Sequence, residues 1–292
     1  MNWTRILVAC AVALLVESAP GYQKDPDIEF VCPMDKDVRS SAPGICPRCG
    51  MKLVAGIPEG HEFRVLISTA PAVLEAEENI RITLRVEDPE TGKPARAFEI
   101  MHEKLYHLFV VSQDLRFFAH VHPEIRSDSS FVLDLTFPRP GLYRILSDFY
   151  PAGATPQLIA STLIVRGAEF KLKAADIAPD LSPKTTENSS VELVSEPVQP
   201  IAGLKTMLFF RLKPDDGIEP WIGAMGHMLA ASADLIDLMH THPIYVTDPD
   251  GAKQLQFNLI FPREGMYRIW VQFQRKGVVN TVAFNVPVKA LE

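Results

Sequence analysis

The feature that most constrains the fold of this 292-residue chain is that its body is written twice. Residues 107–123, HLFVVSQDLRFFAHVHP, align without a gap to residues 227–243, HMLAASADLIDLMHTHP, at an offset of 120. His107 meets His227, Ser112 meets Ser232, Asp114-Leu115 meets Asp234-Leu235, and His120, His122 and Pro123 meet His240, His242 and Pro243. A second block follows at an offset of 124, FPRPGLYRI at 137–145 against FPREGMYRI at 261–269. The four-residue difference falls in the intervening loop, where insertions are tolerated. Self-similarity of this kind marks one domain in tandem, each copy folding within about 100 residues.

Each copy alternates with the period of half-buried strands. Arg81-Ile82-Thr83-Leu84-Arg85-Val86 and Phe131-Val132-Leu133-Asp134-Leu135-Thr136-Phe137 put apolar side chains on one face. Asp-Pro, Thr-Gly, Pro-Gly and Asp-Gly turn signals separate such runs, and no long amphipathic helix interrupts them. The expectation is a mainly β chain with two tandem immunoglobulin- or cupredoxin-like sandwiches, residues 61–167 and 191–290. Residues 168–190, ending SPKTTENSS, have linker composition. The two Gly-x-Tyr-Arg-Ile segments predict a strand entry with a tyrosine packed back over a corner. Ala230 to Met239 is rich in helix formers, which leaves a helix open there.

Residues 1–21 read as an address. Arg5 ends a short positive region, Ile6 to Val16 is an apolar run of eleven, and Ala19-Pro20-Gly21 supplies small residues for cleavage before Tyr22. The run is too short to span a bilayer, and no later stretch approaches ~18 uninterrupted apolar residues. The expectation is a signal peptide and an exported, periplasmic or secreted mature chain with no transmembrane segment. Leu7-Val8-Ala9-Cys10 matches a lipoprotein box, but nine residues before Cys10 are few for anchoring there. With Lys+Arg 29 against Asp+Glu 36, the net charge of −7 and the absence of a basic block exclude nucleic acid as a partner.

Of four cysteines, Cys10 leaves with this segment, and Cys32, Cys46 and Cys49 remain within a short window. An odd, clustered set suits a metal better than a disulfide framework, although a Cys46–Cys49 disulfide with Cys32 left over stays open. The Cys46-Pro47-Arg48-Cys49 knuckle offers two thiolates to one tetrahedral ion, Cys32 returns as a third sulfur, and Met34 and Met51 stand beside them. Soft sulfur donors select Cu(I), Zn(II) and similar ions over Mg or Ca. Phe30-x-Cys32-Pro33-Met34, followed by Pro43-Gly44-x-Cys46-Pro47-x-Cys49-Gly50-Met51-x-Leu53, resembles the small heavy-metal-binding domain at the head of copper-exporting P-type ATPases and of efflux adaptors. The resemblance covers residues 30–54 and implies a zinc-ribbon-like soft-metal module, placed at 28–56. The family usually carries His-Pro after Cys-Pro-Met; here Asp35-Lys36 stands instead, a harder donor.

The chain has eight histidines, and six occupy the repeated pattern His-x12-His-x-His. A hairpin turn centred between residues 113 and 114 sets His107 opposite His120, with His122 on the same face and Phe109 opposite Phe118 as an apolar floor. The second copy, turning about Ala233-Asp234, gathers His227, His240 and His242. Three imidazoles suit Cu(II) or zinc. A fourth position falls to water or, in the second copy, to Met225, where the first has Leu105. No cysteine lies in either sandwich, which excludes a blue-copper centre. His61 and His102 lie outside the pattern.

These readings converge on an exported metal-binding protein that buffers, carries or delivers copper or a similar ion, with an efflux pump or adaptor as partner, and not an enzyme. Cu(I) is expected at the Cys/Met module and Cu(II) or zinc at the histidines. One alternative is a metalloenzyme using a three-His site, with Glu103, Asp114 or Asp148 as acid or base. Another is an extracellular scaffold or adhesion module whose histidines are incidental.

Overall fold

The computed structural model describes residues 30–35, 38–55, 62–89, 91–152, 154–167, 174–247, 251 and 253–291. The expected signal segment, Cys10 and His61 lie outside them. Among the described residues there is no helix, so none is long and apolar enough to cross a membrane. The Ala230–Met239 stretch is a hairpin of two strands, His227–Ser232 and Leu238–Thr241.

The chain forms a small three-stranded module and two sandwiches. In the first sandwich, Arg64–Ala70, Asn79–Glu87, Phe131–Thr136 and Glu124–Ile125 form one sheet. Gln157–Arg166, Gly141–Phe149, Tyr106–Ser112 and Phe118–Val121, with Leu74–Glu75 at the edge, form the other. Ile80, Ile82 and Leu84 from the first sheet meet Tyr106, Leu108, Val110, Tyr143 and Ile145 from the second in one core. The second sandwich repeats this with Val191, Leu208, Phe210, Met228, Ala230 and Ile269. It pairs Lys184–Thr185 with Val191 and Ser190, so its sheet already includes residues of the stretch with linker composition. The corner tyrosines are in place: Tyr143 Oη donates to the Arg139 carbonyl at 2.8 Å, and Tyr267 Oη to that of Arg263 at 3.0 Å. Tyr143→Phe is expected to lower stability by about 1 kcal/mol, read from the urea midpoint; an unchanged midpoint would mean that water replaces this bond.

Every residue of the Tyr106–Ser112 strand is buried, because both faces of its sheet are covered. Tyr106, Leu108 and Val110 point into their own sandwich, while His107, Phe109 and Val111 point the other way. What covers that outer face is the other sandwich. Phe109, Val111, Leu115 and Leu146 pack against Leu229, Ala231, Leu235 and Trp270 in one buried cluster. These are the same four positions of each copy, so the two copies meet through a quasi-two-fold, self-complementary contact. Ala175 and Ile177 lie along its edge, with Ala175 N–H donating to the Ala233 carbonyl at 3.0 Å.

The hairpin that carries the histidines closes differently from the expectation. Phe109 pairs with His120 and Val111 with Phe118, so the turn is centred two residue numbers later in the partner sum than a turn at 113–114 would give. The cause is a wider loop. Ser112 Oγ donates to Asp114 Oδ1 at 2.5 Å, the same carboxylate oxygen accepts Arg116 N–H, and Phe117 N–H returns to Ser112 Oγ. Leu115 then takes a left-handed φ of 57° and its side chain enters the contact between sandwiches. Ser232, Asp234 and Leu235 repeat the device. A slip of two residues leaves every side chain on its face, so the three histidines still converge. Phe109 and Phe118 are diagonal neighbours, with ring centroids 6.3 Å apart, and not opposed.

Candidate metal centres

The module holds Cys32, Cys46 and Cys49 as free thiols. Phe30–Val31 pairs with Arg39–Ser40 and Val54–Ala55. The knuckle is closed by Cys46 N–H to the Met51 carbonyl and Gly50 N–H to the Cys46 carbonyl, with Gly50 turning the chain at φ 75°. The Sγ atoms of Cys32 and Cys49 lie 3.4 Å apart, and Asp35 Oδ2 lies 3.5 Å from Cys46 Sγ and 3.8 Å from Cys32 Sγ. All four ligand atoms fall within 4.8 Å of one another, close to the ~3.8 Å edge of a tetrahedral sulfur set at Zn–S ~2.3 Å. Asp35 is thus placed to supply a fourth ligand, steered by Arg48 Nη1 at 3.0 Å from its other oxygen. Hydrogen bonding from Cys49 brings the Cys32 thiol down to about 6, while Cys32 pushes Cys49 up and burial pushes Cys46 up. Without an ion the cluster thus favours a single thiolate; a cation is what lets the rest ionise. Met34 packs against this cluster and Met51 lines a cavity beside Cys49.

In the first sandwich, His107 Nδ1, His120 Nε2 and His122 Nε2 form a triangle with edges of 3.1, 3.2 and 3.2 Å. A tetrahedral nitrogen set at Zn–N ~2.0 Å has edges of about 3.3 Å. The protons are placed by the outer partners. His107 Nε2–H donates to the Met101 carbonyl at 3.0 Å, which leaves Nδ1 a lone pair. His120 Nδ1–H donates to Gln272 Oε1 at 2.9 Å, and Gln272 Nε2 is turned away onto Thr281 Oγ1. Two neutral acceptors then face each other at 3.1 Å with no proton to share, an arrangement that a cation relieves.

The second trio follows the same plan. His227 Nε2–H donates to the Trp221 carbonyl, and His240 Nδ1–H to Asp148 Oδ2 at 2.6 Å. His242 Nε2 lies 2.9 Å from His227 Nδ1, and the three ligand atoms are within 4.8 Å of one another. His240 Nε2 is buried with no hydrogen-bond partner among the described residues. Met225, considered above as a fourth ligand, packs against the core of its sandwich, as Leu105 does in the first. The strand begins only at His227, so the alternation that would put Met225 beside it does not extend that far.

The trios are neighbours. His120 and His227 ring centroids are 5.1 Å apart, His107 and His227 6.0 Å, and Phe109 touches both sites, 4.2 Å from His120 and 4.5 Å from His240. Burial, then repulsion among the rings, holds His107 down at about 3, and it lowers His120, His227 and His242 as well. These four rings are thus held as the neutral donors a metal needs. His102, which sequence reasoning left without a role, stacks on His242 at 3.7 Å with its own Nε2 buried and unpaired. Gln272 was missed as a partner; its signal is register, since Gln272 pairs with His227 as Asp148 pairs with His107. Glu103 turns beside His102 and Asp114 closes the hairpin, so of the three carboxylates considered above only Asp148 bonds to a histidine of a trio.

The module sits at the same place in the molecule. Met34, Asp35 and Arg48 line a cavity of about 710 Å³ together with Met239 and His240, and Cys49 and Met51 line another of about 730 Å³ with His102.

Residues 30–55 match the family described as a heavy metal binding domain, which supports a metal-binding module there. No curated protein matches the chain. Among solved structures it is similar to the Escherichia coli adhesin FdeC, at 17% identity over 83% of this chain and 68% of that one, with a TM-score of 0.27. It is also similar to the Yersinia pseudotuberculosis adhesin InvE, at 13% identity over 79% of this chain and 61% of that one, with a TM-score of 0.25. Likenesses this distant say nothing of function. Residues 60–166 and 184–290 each match one family model, and on that ground the chain belongs to the family described as a domain of unknown function (DUF8832), carried here in two copies.

Proposed function

We propose that this protein is an exported copper-handling protein, a carrier or buffer rather than an enzyme, which takes a soft ion at its cysteine module and holds ions at the paired histidine trios. The observation that carries the reading is the closed triangle of His107 Nδ1, His120 Nε2 and His122 Nε2, two of them lone pairs fixed by outer hydrogen bonds. The shared cavity between Asp35, Met34 and His240 supports passage between the module and the body. Sulfur donors favour Cu(I) and imidazoles accept Cu(II) or zinc as well, so one ion can be received at the module and kept at the trios. Delivery to an efflux pump or adaptor fits the module's resemblance to the heads of such systems.

Metal content of protein isolated from the exported fraction tests this. Copper is expected in the wild type, with stepwise loss in His120→Ala/His122→Ala, in His240→Ala/His242→Ala and in Cys46→Ser/Cys49→Ser. Metal retained unchanged by both histidine variants would return the body to the scaffold reading. Hydrolytic or oxidative turnover abolished by them would make the protein an enzyme.

A further inference from the structure

The duplication gives the two trios identical ligands, yet the residues that stand behind them differ. Position 148 and its counterpart 272 each lie beside the first histidine of their own trio and reach across to the second histidine of the other. His240 is therefore backed by the Asp148 carboxylate at 2.6 Å, whereas His120 is backed by the neutral Gln272 amide at 2.9 Å. Asp148 is buried, 4% exposed, so its charge is poorly screened. A carboxylate behind a ligating imidazole raises the basicity of the ring and offsets the charge of the ion, and changes in such partners typically shift affinity by 10–100-fold. A second difference works in the same direction. Lys104, whose backbone N–H bonds the same Met101 carbonyl that accepts His107 Nε2–H, brings a positive charge to the neighbourhood of the first trio. Its counterpart in the other copy is Ala224.

We infer that the paired trios form one dinuclear centre with unequal halves, in which a d-block cation fills His227/His240/His242 first and His107/His120/His122 second. The inference rests on the proposed metal binding by the histidines and adds to it the order and its cause. Crossed backing also links the sites: each trio is oriented by the opposite sandwich, so anything that separates the sandwiches loosens both.

The experiment is a zinc titration of the full chain carrying Cys32→Ser, Cys46→Ser and Cys49→Ser, in competition with a chromogenic chelator. Zinc is used because it is redox-inert. Two steps are expected, separated by about 10–100-fold. Asp148→Asn should weaken the tighter step by about that factor and leave the other nearly unchanged. Gln272→Glu should tighten the weaker step, and Lys104→Ala should tighten it by a smaller factor. Two equal steps, or a tight step indifferent to Asp148→Asn and a weak step indifferent to Gln272→Glu, would overturn the order while leaving metal binding intact. A folded body that takes up no zinc at all would overturn metal binding by the histidines itself. Should Asp148→Asn fail to fold, Gln272→Glu and Lys104→Ala still decide the matter.

Discussion

Trp270→Ala is expected to lower the stability of the metal-free protein by about 3–5 kcal/mol, the usual cost of truncating a buried large aromatic. Trp270 is 4% exposed and is the largest side chain in the contact between the sandwiches. Its ring lies parallel to that of Phe118 from the other copy, with centroids 5.1 Å apart, and Arg268 covers it at 5.6 Å. The neighbouring members of the cluster are already close-packed, so little can move in to fill the space. The same truncation should weaken metal binding at both trios together, because Phe109 belongs to the Trp270 cluster and touches both His120 and His240. Urea denaturation and the zinc titration read the two effects. Ile236→Ala, at a side chain 65% exposed on the turn next to this contact, serves as the control and should stay within about 0.5 kcal/mol. A loss below 1 kcal/mol in Trp270→Ala would show that the sandwiches do not depend on this contact.

Acid is expected to destabilise the metal-free protein from pH 6.5 downward, before the carboxylates begin to titrate. Burial, and then repulsion from His240, hold His102 at about 4 and His107 at about 3. Burial and the nearby Lys104 hold His122 at about 4. All three would titrate near 6.5 in the unfolded chain. Between those values the unfolded state binds more protons than the folded one, so stability is fully present above pH 6.5 and is lost as pH falls toward the folded values. Each such group contributes about 1.4 kcal/mol per pH unit in that window, and three together about 4 kcal/mol. A domain of ordinary stability, about 5–15 kcal/mol, is then exhausted within a few pH units. Urea midpoints measured from pH 7 to 4 should fall steeply below pH 6.5. A flat profile down to pH 4.5 would mean that the rings take up protons without leaving the folded state.

The strands, the turns and the trios were open to reading because each rests on a local rule. Alternation in Arg81–Val86 and Phe131–Phe137 gives strands that pair with each other, Leu84 with Phe131 and Ile82 with Leu133. The histidines survive an error in the turn because a register slip of two residues keeps every side chain on its face. The knuckle of Cys46 and Cys49 follows from two residues between thiols, and Asp35 falls where the resembling family usually has His. What spacing could not supply is the contact between copies. Its one trace is that Tyr106-His107-Leu108-Phe109-Val110-Val111 does not alternate, as a strand covered on both faces need not. The partners of His120 and His240 lie 152 and 92 residues away in the chain, and only the docking of one sandwich on the other brings them together. His102 belongs to the same class: its stacking on His242 spans the two copies.

The crossing of Asp148 and Gln272 has a consequence for how such a centre can evolve. Were the same contact made by two separate, identical chains, any change at this position would appear on both sides at once, and both ions would be held alike. Tethering the halves in one polypeptide lifts that restriction. One half can keep an acid while the other takes an amide, and a molecule built by copying gains a strong seat and a weak one, so an ion held in the second can leave while the first remains filled.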